Sequence, residues 1–175
     1  MQTPDPTPTP LAPVLAEMRK SLCAGDITDK VTFRPGMALH ADPALKVGGQ
    51  YRSPAGRLLE LEVTTAAKGD WIALHVSLTA TNLADHAYIG LACRSAAPRE
   101  QLIQPCLRSG TDDGFHDCFF DKHILAGPEP RNHVDALHIE THRDLPTTAP
   151  WRELVLFLPK HSFRWDLHDL RMFLV

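Results

Sequence analysis

Between Arg108 and Asp121 the chain reads Arg-Ser-Gly-Thr-Asp-Asp-Gly-Phe-His-Asp-Cys-Phe-Phe-Asp, with Asp112, Asp113, His116, Asp117 and Asp121 inside ten positions. Carboxylates crowded onto a turn suit a hard cation such as calcium, which takes its ligands from Asp side chains and backbone carbonyls. The acids do not fall at alternate positions and no glutamate closes the set, so the EF-hand spacing is absent. The competing reading is a solvated turn whose Asp side chains bond to nearby amides. His116 and Cys118 would share one strand face, as zinc ligands can, but His123 has the opposite parity and a structural zinc needs four ligands. Ser109 lies in Arg-Ser-Gly rather than in a nucleophile elbow. Neither a G-x-G-x-x-G loop nor a Walker lysine motif occurs. The residue types therefore assign no cofactor, and calcium at Asp112–Asp113 is the one metal they would suit.

The aromatic residues point to a different chemistry. Trp71, Tyr88, Trp151 and Trp165 fall opposite the aliphatic stripe of their segments, and His75 shares the face of Trp71. Rings on a solvent face beside Asp, Arg and His can stack on the apolar side of a sugar while the polar neighbours bond to its hydroxyls. The expected ligand contacts are Trp71, His75 and Tyr88, with Arg108, Asp112, Asp113 and His116 at the rim. For Trp151 and Trp165 a place capping the core is an equal alternative. Glu60 and Glu62 also share a strand face, which keeps open a carboxylate-pair glycoside hydrolase beside the plainer reading of an exposed polar face.

These residues have to be carried by strands. Leu59, Leu61 and Val63 alternate with Glu60 and Glu62, and Ile72, Leu74, Val76 and Leu78 alternate with Trp71, His75 and Ser77. That is the pattern of antiparallel strands covered on one side. Tyr88–Cys93, Val134–Thr141 and Asp166–Val175 repeat it. Leu154–Leu158 is apolar on both faces, as a central strand should be. Leu102–Leu107 reads as a strand that Pro105 demotes to an edge or a bulge. Pro35-Gly36, Asp42-Pro43 and Gly48-Gly49 read as turns.

One helix precedes the strands. Leu11, Val14, Leu15, Met18 and Leu22 recur at helical spacing, Pro13 suits the first turn and Gly25 a C-terminal stop. So short a helix must pack on something. Its partner is either its own domain or another chain, which would make residues 11–22 a docking or self-association element. Ahead of it, residues 1–10 form a Pro/Thr-rich tail read as disordered.

The bulk properties agree with one globular domain. The chain has 175 residues, 43% hydrophobic and 22% charged, with a formal net charge of −3. No basic run and no strong positive field exist, which argues against nucleic acid and anionic membranes as partners. The first ten residues lack the charged and apolar regions of a secretory signal, so the default compartment is the cytoplasm. Cys23, Cys93, Cys106 and Cys118 form no C-x-x-C pair and read as small buried hydrophobes.

The expected architecture is all-β, a two-sheet antiparallel β-sandwich of jelly-roll type over 27–175, with a short amphipathic N-terminal helix over 11–25. Gly48-Gly49-Gln50-Tyr51, Leu58–Val63, Trp71–Leu78 and the ending Trp165-Asp-Leu-His-Asp-Leu-Arg-Met-Phe-Leu-Val175 resemble the galactose-binding-like jelly-roll domains, which include the carbohydrate-binding modules of polysaccharide-active enzymes. The resemblance implies a soluble, lectin-like, non-enzymatic module that binds a glycan or polysaccharide. The alternatives are a structural or interaction subunit docking through its N-terminal helix, and a small glycan-active hydrolase.

Overall fold

A computed structural model describes residues 10–20 and 22–175, and residues 1–9 of the proposed tail lie outside them. Among the described residues thirteen strands form two antiparallel sheets. The six-stranded sheet runs in the order β1 (Cys23–Asp26), β4 (Val47–Ser53), β5 (Leu59–Thr65), β13 (Phe163–Leu174), β7 (Tyr88–Ala96) and β11 (Arg131–His138). The seven-stranded sheet runs β10 (Ile124–Ala126), β8 (Gln101–Thr111), β12 (Arg152–Phe157), β6 (Ile72–Leu78), β3 (Met37–Ala41) and β2 (Lys30–Arg34), with β9 (Gly114–Phe119) also paired to β8.

The core forms where the alternating apolar faces of the two sheets meet. Ile72, Leu74 and Val76 from β6 and Leu154 and Leu156 from β12 are fully buried, as are Leu59, Ile89, Leu91, Leu167 and Leu170 from the other sheet. Trp165 lies in this core with no exposure, so it belongs to neither outer face. β12 is central, between β8 and β6, as the run Leu154–Leu158 suggests.

Pro105 is tolerated inside an interior strand because of a break beside it. β10 pairs with Gln101–Ile103 of β8, and β9 with Cys106–Thr111. Pro105 falls in the gap, where its carbonyl accepts from the Phe120 amide at 3.1 Å. The amide hydrogen that proline lacks would face this same side, where the β9 ladder ends, so the pairing of β8 with β12 is untouched.

Two glycine assignments differ from the sequence reading. Gly48-Gly49 lies within β4 rather than in a turn. Gly49 has φ 118°, and a Cβ there would collide with the Glu62 carbonyl, so glycine is required by close backbone approach. Gly25 is no helix stop. It pairs with Tyr51 in β1, and the Tyr51 ring folds over the place of its missing side chain.

The helix α1 (Pro13–Lys20) is shorter than 11–25, because the chain from Cys23 pairs with β4 instead of continuing the helix. Leu22 accordingly points to solvent, 74% exposed. Val14, Leu15 and Met18 are buried against the protein's own sandwich. Ser53 Oγ donates to the Met18 carbonyl at 3.2 Å, the Thr79 amide donates to the Leu11 carbonyl at 2.9 Å, and Arg19 reaches Asp169 on β13. The helix thus closes one end of the sandwich, and the apolar face considered for docking a partner is already occupied. Among the described residues no helix is long and apolar enough to cross a membrane.

The four cysteines are free thiols. Burial pushes the Cys93 thiol up to about 12 and the Cys118 thiol up to about 11, and raises that of Cys106 further. None of these three has the lowered pKa of a nucleophile.

Candidate functional site

The outer face of the seven-stranded sheet gathers most of the residues able to hold a ligand. Alternation on β6 turns Ile72, Leu74 and Val76 into the main core, which leaves Trp71, Ala73, His75 and Ser77 outward. On β12 the same rule sends Trp151, Glu153, Val155 and Phe157 outward, and on β8 Gln104, Cys106, Arg108 and Gly110. The register sets Val155 beside both His75 and Cys106, and Glu153 beside Arg108. Ala73, Cys106 and Val155 form a small second apolar cluster with Phe157 packed on it. It is a floor on which larger side chains stand.

At one end of this floor lies a 380 Å³ cavity lined by Trp71, Phe119 and Phe157 together with Asp70, Gln104, His123 and Lys160. The Phe119 and Phe157 ring centroids are 5.9 Å apart with the planes tilted by 33°. Trp71 and Phe119 are 40% and 41% exposed, which is enough to offer ring faces to a ligand.

Beyond the cavity a polar row crosses the sheet. His75 Nδ1 donates to Glu153 Oε1 at 3.0 Å. The same oxygen lies 3.8 Å from Arg108 Nη1. Arg108 then makes two hydrogen bonds to Asp117, at 2.7 and 2.8 Å. Those bonds hold its guanidinium charged still more firmly, against the cost of partial burial. The guanidinium also lies 3.9 Å from the Phe115 ring centroid, a cation–π contact. His40 stacks against His75 at 4.9 Å. Its pKa falls below the ordinary value, first through burial and then through the neighbouring His75 and Lys30, with Glu153 opposing.

Of the residues singled out from the sequence, Trp71, His75 and Arg108 share this face. Asp112 and Asp113 form the two-residue turn of the β8–β9 hairpin and are exposed. The Arg108–Asp121 stretch is therefore a hairpin along one sheet edge. His116 lies on β9 opposite Ser109, its side chain turned to the other side of the sheet from Asp117. Tyr88 belongs to the six-stranded sheet, where its ring meets His138 edge-on at 4.8 Å. Among the described residues, no three His, Cys, Asp or Glu side chains come together to hold a metal ion.

Phe119, Phe157, Gln104 and Glu153 are site residues that the sequence reading did not single out. The signal for Phe157 was present: it shares parity with Val155, opposite Leu154 and Leu156. An apolar run masks that alternation.

A larger cavity, 560 Å³, lies on the other sheet and is lined by Asp26, Arg52, Glu60, Glu62 and Arg164 among others. Its one ring, Tyr51, is turned over Gly25 and packs against Phe33 at 4.7 Å. Glu60 is committed to ion pairs with Arg52 and Arg57. This trough is a solvated ion-pair surface rather than a stacking site.

No family model matches the sequence, and no curated protein matches it. Solved structures do match the fold. The CBM22-1 xylan-binding domain of Paenibacillus barcinonensis Xyn10C aligns with TM-score 0.56 at 10% identity, covering 86% of this chain and 92% of that one. The N-terminal cellulose-binding domain of Cellulomonas fimi β-1,4-glucanase C aligns with TM-score 0.57 at 12% identity, covering 86% and 94%. A CBM4 structure aligns with TM-score 0.54 at 9% identity, covering 71% and 75%. The chain has the two-sheet β-sandwich fold of carbohydrate-binding modules.

Proposed function

We propose that the protein is a non-catalytic carbohydrate-binding module that lays a polysaccharide along the outer face of its seven-stranded sheet. The observation that carries this reading is the cavity ringed by Trp71, Phe119 and Phe157 beside Gln104, His123 and Lys160. Rings supply the stacking surface for a pyranose, and the amide, imidazole and ammonium groups supply directional bonds to its hydroxyls. His75, Glu153 and Arg108 continue the polar surface along the same face, and Asp112, Asp113 and His116 lie on the hairpin beside it. Asp70 is the one carboxylate lining the cavity, whereas glycoside hydrolysis needs a carboxylate pair. This weighs against the hydrolase reading. The docking-subunit reading loses its motive because α1 packs on its own domain.

The neighbours' names, xylan-binding and cellulose-binding, set the first ligands to try. Affinity electrophoresis through gels containing xylan, hydroxyethylcellulose or mixed-linkage β-glucan is the direct test. At least one should retard the protein. If none does, and isothermal titration with the matching oligosaccharides shows no heat, the reading is wrong.

A further inference from the structure

On the other sheet, three separate elements bring arginines to one place. The last turn of α1 supplies Arg19, the turn between β4 and β5 supplies Arg57, and β13 supplies Arg171. With Gly56, His168 and Asp169 they line a 290 Å³ cleft. Asp169 is the carboxylate lining this cleft beside three guanidinium groups, in a chain whose formal net charge is −3.

A break in β13 builds the cleft. The register to β7 shifts between Leu167 and Asp169. His168 is the extra residue, so it and Asp169 both turn outward while Leu167 and Leu170 stay in the core. Asp169 is shared, since Arg19 Nη2 reaches Oδ1 at 2.5 Å and Arg171 Nε reaches Oδ2 at 2.9 Å. Arg57 donates from Nη1 to His168 Nε2. A guanidinium can only donate, so that ring nitrogen is placed to accept. The nearby carboxylates are also engaged: Glu60 pairs with Arg52 and lies 4.0 Å from Arg57 Nε, which leaves the Nη2 end of Arg57 to a ligand, and Asp166 lies 3.4 Å from Arg164. Arg94 sits opposite Asp169 in the ladder and adds further positive charge.

We infer that this cleft binds an oxyanion, a sulfate, phosphate or carboxylate group, held by the free N–H groups of Arg57 and Arg171. The planar fork of a guanidinium matches such oxygens in pairs. Arg171 has a side chain 73% exposed, so most of its donors remain available beyond the single bond to Asp169. The site lies on the opposite side of the sandwich from Trp71 and does not depend on glycan binding there.

His168 provides an internal reporter. Its proton affinity is held down first by burial and then by Arg57, with Arg94 adding and Asp166 and Glu60 opposing. An anion beside Arg57 offsets that guanidinium, so its binding raises the His168 titration midpoint.

The test is an NMR titration of the full chain with sodium sulfate and sodium phosphate, against sodium chloride at matched ionic strength. Saturable shifts at Arg57, His168 and Arg171, with an upward move of the His168 midpoint, are expected for at least one oxyanion. Arg57→Gln and Arg171→Gln should each weaken binding about tenfold, the loss of one charge-assisted hydrogen bond. Circular dichroism checks that both variants stay folded, and Arg19 is left alone because it fastens α1. A second arm compares oligogalacturonate with its methyl ester. A response to the free carboxylate form alone assigns the site to a substituent carried on a polysaccharide, and a response to sulfate or phosphate alone assigns it to a free ion; both support the inference. Chloride acting as well as the oxyanions, or saturable shifts that survive both substitutions, would overturn it.

Discussion

Trp71 and Tyr88 stand on opposite outer faces of the sandwich, with both sheets and the core between them. One short saccharide cannot stack on both rings. Trp71→Ala and Phe157→Ala should therefore each weaken glycan binding about fivefold, from roughly 1 kcal/mol of lost ring contact, while Tyr88→Ala should leave it unchanged. Titration of the three variants against the same oligosaccharide separates the faces, and a loss in Tyr88→Ala alone would move the site to the six-stranded sheet.

Arg152 points into the core with 1% exposure and, among the described residues, has no carboxylate partner. It donates to Ser109 Oγ and to the Pro146 carbonyl, and its Nε has no partner among the described residues. An unpaired buried cation is costly, and what it supplies here is volume and a tie to the loop before β12. Arg152→Ala should cost about 3 kcal/mol through the void it leaves. Arg152→Met, which keeps the volume, should fall within about 1 kcal/mol of the parent. Urea unfolding midpoints decide between them, and equal losses would show that the hydrogen bonds matter more than the packing.

Gly49 admits no side chain. Its φ of 118° and the Glu62 carbonyl beside it make Gly49→Ala both strained and clashing, a loss of about 2–3 kcal/mol. Gly56, also at positive φ but with open space around it, should tolerate alanine at about 1 kcal/mol. Thermal unfolding of the pair tests whether the clash adds to the strain.

Met18→Ala should cost about 3 kcal/mol, since Met18 is 1% exposed where α1 closes the sandwich. Analytical ultracentrifugation should give the same mass for the variant and the parent. A change of oligomeric state would return the helix to the role of a docking element.

Stability should fall on mild acidification. His40, His133 and His168 are all held below the ordinary histidine value of 6.5, first by burial in each case. The unfolded chain then takes up protons near 6.5 that the folded chain refuses. The stability is fully present above that pH and is lost as the pH drops through the folded-state values. Urea midpoints should be level from pH 8 to 7 and decline from 6.5 toward 5. A flat profile there would contradict the assignment.

Much of this fold can be read from alternation alone. β5, β6, β7 and β12 lie where period-two burial puts them, because a sheet with one covered face leaves that pattern in its residues. Alternation fixes which side of its own strand a residue takes but not which sheet that strand joins, and so Tyr88 and Trp71 could be read as neighbours. Gly48-Gly49 resembles a turn because the reason for glycine, a carbonyl on the adjacent strand, is far away in sequence. Pro105 looks like an edge residue until the gap between β9 and β10 is seen. The bulge at His168 was legible: buried positions run Phe163, Trp165, Leu167 and then change parity to Leu170.

The four unpaired thiols give the molecule a clock. Three of them are sealed in the interior at no more than 6% exposure, and Cys23 is half open. An alkylating reagent added to the native protein should mark Cys23 within minutes, reach Cys106 when the side chains over the outer face of the seven-stranded sheet move aside, and reach Cys93 and Cys118 only when the core opens. The rate at which Cys93 and Cys118 are modified then measures how often the two sheets come apart, without denaturant and without any introduced label.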